Sequence, residues 1–190
     1  MKPWTTLSRR VLCTPNRFLT VEMHEIGLPD GRRIDDWPWL VVPDFAIVIA
    51  VTGEDRFICF RQTKYAVEGT SLAPVGGFIE AGEAPLAAAR RELLEESGFE
   101  AAEWHSLGGY PVDANRGAGT AHLFLALGAT RTRDVTCGDL EDQHLMLLGR
   151  PEIESALDRG EFKALAWAAG MGLALRFLDR QSASREDGTL

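Results

Sequence analysis

One 23-residue stretch, Gly77 to Phe99 (GFIEAGEAPLAAARRELLEESGF), constrains this chain more than any other feature. It sets Gly77, then Glu83, Arg91-Glu92, Glu95-Glu96 and Gly98 at fixed intervals, with bulky apolar Leu93 and Phe99 between and after them. Seven fixed residues at ordinary usage plus two apolar positions recur by chance roughly once in a billion start sites. Pro85 suits a first helical turn and Gly98 the left-handed position past a helix end, so the spacing predicts a helix over 85–97. At about 100° per residue, Leu86, Ala89 and Leu93 line one apolar face, while Glu92, Glu95 and Glu96 fall within an arc of roughly 100° on another. Three carboxylates that close repel unless a cation sits among them. Hard oxygen ligands on a rigid element are what Mg²⁺ or Mn²⁺ prefers. Arg91 lies four residues before Glu95, in range to orient it.

The rest of the chain reads as alternating strands and helices. Phe18–Ile26 and Arg33–Val42, around the turn Leu28-Pro29-Asp30-Gly31, predict an N-terminal hairpin. Phe45–Val51 is a continuous apolar run, expected of a buried central strand, followed by a strand over Arg56–Arg61. Strands are predicted at Trp104–Tyr110, Ala121–Leu127 and Leu145–Leu148, and helices at Pro151–Arg159 and Phe162–Arg180. Strands before and after a central helix, with more helix at the end, predict a mixed sheet between helical layers. The expected division is one domain, 1–180: an N-terminal strand extension 1–42, a core 43–150 holding 77–99, C-terminal helices 151–180, and a polar, frayed tail 181–190.

With 190 residues, the chain is long enough to bury about 70% of its unfolded surface. The net charge of −8 disfavours nucleic-acid polymers and anionic membranes. Three scattered cysteines, Cys13, Cys59 and Cys137, read as reduced thiols of a cytoplasmic protein. The N-terminus lacks an apolar signal core, and no apolar window reaches the length of a membrane span.

The 77–99 pattern resembles the Nudix box, G-x5-E-x7-R-E-U-x-E-E-x-G-U with U bulky and apolar, at every specified position. The resemblance implies an α/β/α sandwich with a mixed sheet and an N-terminal β-hairpin extension. It implies Glu92, Glu95, Glu96 and the carbonyl of Gly76 as ligands of Mg²⁺ or Mn²⁺, with Arg91 orienting them. Glu96, Glu95 and Arg91 are thereby catalytic candidates. The chemistry implied is hydrolysis of a nucleoside diphosphate linked to another moiety.

Outside the box, Gly27-Leu28-Pro29-Asp30-Gly31, Arg61-Gln62-Thr63-Lys64-Tyr65 and Arg159-Gly160-Glu161-Phe162 resemble the ADP-ribose/ADP-sugar pyrophosphatase branch. That branch implies a basic contact to the diphosphate near Lys64, with Arg61 beside it, and an adenine stacked on N-terminal aromatics, here Trp37 and Trp39. The same tryptophans also suit sheet-face packing. It further implies a homodimer through N-terminal strands and a nucleotide-containing small molecule as partner. Three positions depart from the branch. Ala73 replaces a usual glutamate. The loop from Tyr110 to Gly117 replaces a Ser-Pro-Gly-like one, so that Asn115 and Arg116 either read a different group or hold a turn. Gln143 stands where relatives place a catalytic glutamate, leaving Glu141 as the preferred general base or a solvated loop carboxylate. The expected substrate is of ADP-ribose or nucleotide-sugar type. The alternatives are a dinucleotide or triphosphate hydrolase and a non-catalytic nucleotide sensor.

Overall fold

Phe45–Thr52 forms β4, whose apolar run is buried on both faces, and the second of two compact units is built around it. The computed structural model describes residues 1–135 and 143–187, and side chains to residue 184. Contacts divide the chain into Met1–Asp44 with Tyr110–Ala121, and Phe45–Gly109 with His122–Leu190.

In the first unit, β2 (Leu19–Gly27) and β3 (Arg33–Val41) pair antiparallel as the expected hairpin, from Thr20↔Val41 to Gly27↔Arg33. A further strand, β1 (Thr5–Asn16), pairs with β2 and was not legible in the sequence. All of its residues are exposed, so neither face imposes an apolar alternation. Gly117, at the start of β10 (Gly117–Arg131), pairs parallel with Leu40.

In the second unit, β5 (Phe57–Thr63) meets β4 only near its start, at Ala50↔Ile58 and Val51↔Phe57. Beyond that point the segment Thr70–Phe78 wedges between the two strands. Its first half, β6 (Thr70–Ala73), pairs with β5, and its second half, β7 (Val75–Phe78), pairs with β4. Pro74 separates them; having no N–H, it cannot continue a ladder. The other edge of β5 carries β11 (Gln143–Leu148). β8 (Phe99–Glu100) and β9 (Glu103–Asp113) pair with β10.

β4 lies between helical layers. On one side Ala46, Val48 and Ala50 pack with Ala88, Ala89 and Leu93 of the box segment. On the other, Gly170 of α3 (Leu165–Asp187) sits against Ile47, Ile49 and Leu123. α2 (Arg150–Asp158) closes the set. This is the expected α/β/α sandwich. Two details differ from the sequence expectation: Leu86 is exposed, its place on the apolar face taken by Ala88, and residues 181–187 continue α3 rather than fraying.

Candidate active site

The box begins as α1 (Pro85–Glu92), with Pro85 in its first turn, and then changes geometry. Leu93–Ser97 is a π-helical turn ending on Gly98 at φ +75°. The helix spans the residues the sequence predicts, but the wider turn re-aims Glu95 and Glu96 relative to a straight α-helix. Such turns concentrate at functional sites. Gly98 is obligatory twice over: its backbone is left-handed, and a Cβ there would collide with the Arg133 carbonyl.

Arg91 is the hub. All five of its N–H donors are used: Nε to Glu83 Oε1 at 3.0 Å, Nη2 to Glu83 Oε2 and to the Phe78 carbonyl at 3.0 Å each, and Nη1 to Glu92 Oε1 at 2.6 Å and Glu95 Oε2 at 3.1 Å. Spacing alone predicts only Glu95 as a partner of Arg91. The structure adds a bidentate fork to Glu83, the box carboxylate from the preceding loop. The guanidinium fork holds the Glu83 carboxyl below its ordinary value, helped by the Glu80 N–H. Burial pushes the Glu92 carboxyl up, opposed by the hydrogen bond from Arg91. Gly77 makes that burial possible, because a Cβ at Gly77 would occupy the space of the Glu92 carboxylate.

Glu96 turns the other way. Its Oε2 accepts the Gly76 N–H at 3.0 Å, and it lines a cleft of about 380 Å³ with Phe45, Ile47, Phe60, Gln62, Lys64, Pro74, Gly76, Gly77, Phe78 and Trp167. The cleft follows from the wedge: Phe45 and Ile47 come from β4, Phe60 and Gln62 from β5, and Pro74 to Phe78 from the inserted segment. Lys64, Gly76 and Glu96 therefore line one cleft.

The donor set is all oxygen: three carboxylates and a backbone carbonyl, which suits a hard divalent cation. Glu92 and Glu95 each commit one oxygen to Arg91, and Glu96 one to the Gly76 amide. As they stand, no three acidic, histidine or cysteine side chains among the described residues converge on one point.

The remaining predicted site residues lie elsewhere. Arg61 is outside the cleft lining; its Nη2 pairs with Glu161 Oε2 at 2.7 Å. Arg159 grips the other Glu161 oxygen through Nε and Nη2, and Leu72 N–H and Ser71 Oγ both donate to the Glu161 carbonyl. The Arg-Gly-Glu-Phe segment thus clasps the β5–β6 pair that carries Gln62. Arg61 first, then Arg159, holds the Glu161 carboxyl below its ordinary value of 4.5. A depressed folded-state value stabilises the protein above pH 4.5, and that stabilisation is lost as pH falls through the lowered value. Glu161→Gln is therefore expected to lower the melting temperature at pH 7, with the difference from wild type shrinking well below pH 4.5; equal deficits at both pH values would remove the ion-pair explanation.

Trp37, Trp39, Asn115 and Arg116 belong to the first unit. The Trp37 indole N–H donates to the Asn115 carbonyl at 2.6 Å and its ring meets Trp4 edge-on. Trp39 stacks on the buried His24 with centroids 5.2 Å apart, and Gly117 lies against its indole. Arg116 pairs with Asp113, whose carboxylate also accepts the Asn115 and Arg116 N–H groups. These contacts fit the turn-holding and packing alternatives. Glu141 lies outside the described residues. Sequence reasoning missed Gln62 and Trp167. For Gln62 a signal existed, since it is the last inward position of β5 and stands two residues before Lys64; Trp167 sits in an Ala- and Leu-rich helix with nothing to mark it.

A helical box with its arginine-clamped carboxylates, set at a cleft in an α/β/α sandwich, defines a class of phosphoanhydride hydrolases. The NUDIX domain model matches residues 42–169, and the chain belongs to the Nudix family. It is 27% identical over 136 residues to a methanol dehydrogenase activator of Bacillus methanolicus, covering 70% of each chain. It is 29% identical over 114 residues to an ADP-ribose pyrophosphatase of Bacillus subtilis (58% of this chain, 59% of the relative). It is 26% identical over 126 residues to a CMP-5'-(N-acetyl-N-hydroxy-3-aminopropyl)phosphonate hydrolase of Streptomyces rubellomurinus (66% and 60%). The crystal structure of an ADP compounds hydrolase superposes with a TM-score of 0.80 at 19% identity, over 95% of this chain and 97% of that one, which establishes the shared fold. These findings place the chain among the Nudix pyrophosphohydrolases, near the ADP-ribose pyrophosphatase branch.

Proposed function

We propose that this protein hydrolyses the diphosphate bond of a nucleoside diphosphate linked to a sugar, of ADP-ribose or nucleotide-sugar type, in a reaction that requires Mg²⁺ or Mn²⁺. The observation that carries this reading is the cleft that holds Lys64, Gly76 and Glu96 together beside the Arg91-clamped carboxylates. Glu92, Glu95, Glu96 and the Gly76 carbonyl would hold the cation. When bound, it polarises the diphosphate oxygens and lowers the pKa of the attacking water. Lys64 offsets diphosphate charge. Arg91 fixes the carboxylate orientations, and Glu141 takes the proton from water. Water oxygen bonds to one phosphorus, the bridging P–O bond breaks, and the leaving phosphate keeps that oxygen, giving a nucleoside monophosphate and a sugar phosphate.

Residues 1–180 act as one catalytic domain in this proposal. It includes a homodimer, which the exposed edge strand β1 supports: Leu7, Val11 and Leu12 are exposed along it. A cytoplasmic setting is supported by the free thiols of Cys13 and Cys59. No helix among the described residues is long and apolar enough to cross a membrane.

The test is a product-resolved hydrolysis panel in Mg²⁺ and in Mn²⁺, covering ADP-ribose, other nucleotide sugars, dinucleotides and triphosphates, with light scattering on the same sample. Release of AMP or another monophosphate from the first two groups, abolished by chelation, is the expected result. Turnover confined to triphosphates or dinucleotides would move the substrate class. A folded protein that binds nucleotide and cleaves nothing would make it a sensor, and a monomer mass would remove the dimer.

A further inference from the structure

Two side chains in the cleft, Gln62 and Trp167, make no side-chain hydrogen bond or ring contact among the described residues. Gln62 is only 6% exposed, and its carboxamide makes no hydrogen bond among the described residues. It lines the cleft between Phe60 and Lys64. Leaving such a group without a partner is costly, which makes it a candidate for ligand contact. Trp167 lies one turn before Gly170 on α3, half-buried, and neither its ring nor its indole N–H contacts another side chain among the described residues in a stacking or hydrogen-bonded arrangement. Phe45 and Phe78 add aromatic surface to the same wall. Trp37 and Trp39, the aromatics expected to stack the base, are by contrast engaged with Trp4, Asn115 and His24.

We propose that Gln62 and Trp167 are the specificity pair of this cleft and that they read an adenine base. This rests on the nucleotide-hydrolase reading of the site. An indole face is a stacking platform for any base, whereas a carboxamide matches adenine in particular. Its oxygen accepts from N6–H and its NH₂ donates to N7, while guanine offers acceptors at both positions. Arg61 and Glu161, on the opposite side of β5, hold the strand that carries Gln62. Lys64, two residues after Gln62, keeps the diphosphate charge beside the same cleft.

The experiment is calorimetric binding of AMP, GMP and ribose 5-phosphate, none of which is turned over, to wild type, Trp167→Leu, Trp167→Phe and Gln62→Leu. Melting temperatures are measured in parallel. Trp167→Leu is expected to weaken AMP about 10- to 100-fold and to leave ribose 5-phosphate unchanged; Trp167→Phe retains most of the affinity. Gln62→Leu is expected to collapse the AMP-over-GMP preference. Wild-type AMP affinity in folded Trp167→Leu and Gln62→Leu overturns the inference, as does an equal loss of ribose 5-phosphate, which would make the cleft a sugar site. Should Trp167→Leu fail to fold, the AMP-to-GMP ratio in Gln62→Leu decides alone. Absence of turnover on the hydrolysis panel, with the adenine preference still tracking Gln62, sinks the catalytic reading and keeps this one. Turnover with unaltered AMP binding in the variants does the reverse.

Discussion

Glu96→Gln is expected to lower turnover on the best substrate of the hydrolysis panel by about 10²–10⁴-fold while moving the melting temperature by only a few degrees. The two halves of that expectation have separate causes. Among the box carboxylates, Glu96 is the one that lines the cleft. A glutamine there keeps the shape and still offers an oxygen to the Gly76 N–H, the bond made at 3.0 Å in the structure. What it removes is the charge, and with it a hard anionic ligand for a divalent cation. Stability stays level or rises slightly, because Glu95 and Glu92 lose a like-charged neighbour in the same short segment. Metal dependence separates this from a packing effect: the activity that remains should need far more Mg²⁺ or Mn²⁺ for half-saturation. Full turnover in a folded Glu96→Gln protein would remove the cation site from this part of the cleft.

The parts of the fold legible in the sequence are those where one residue type has one local use. Pro85 and Gly98 bound the box helix because one lacks an N–H and the other tolerates φ +75°. The run from Phe45 is a buried strand, with the six residues 46–51 hidden on both faces. What the sequence concealed depends on partners far away in the chain. The wedge of Thr70–Phe78 between β4 and β5 is two strands of four residues around Pro74, too short for periodicity to show, and it supplies Pro74, Gly76, Gly77 and Phe78 to the cleft. The π-helical turn carries no compositional mark. Arg61 and Lys64 read alike as basic residues ahead of the box, yet Arg61, within β5, pairs with Glu161 and Lys64, just past its end, lines the cleft. The carboxylates were legible as a cluster, but not how Arg91 divides them.

That division makes Arg91 the position where structure and activity should fail together. Arg91→Ala leaves Glu83, Glu92 and Glu95 without the donors that hold them, and leaves the Phe78 carbonyl without its fork contact. The Arg91 side chain is about a quarter exposed, so solvent recovers part of the loss. A fall in melting temperature of roughly 2–4 °C for each kcal/mol lost is the expectation for a chain of this size. Arg91→Lys should recover little of it, since a single ammonium has three donors in place of a five-donor fork and cannot bridge Glu83 bidentately. The burial that already pushes the Glu92 carboxyl up would then act unopposed by Arg91, so Glu92 should hold its proton to higher pH in Arg91→Ala. A divalent cation competes with that proton. The variant's residual turnover should therefore rise toward alkaline pH more steeply than wild type, and added Mg²⁺ should raise its melting temperature more than it raises that of the parent. A variant with normal stability and an unchanged pH profile would show that Arg91 orients nothing, and that the carboxylates keep their places by backbone geometry alone.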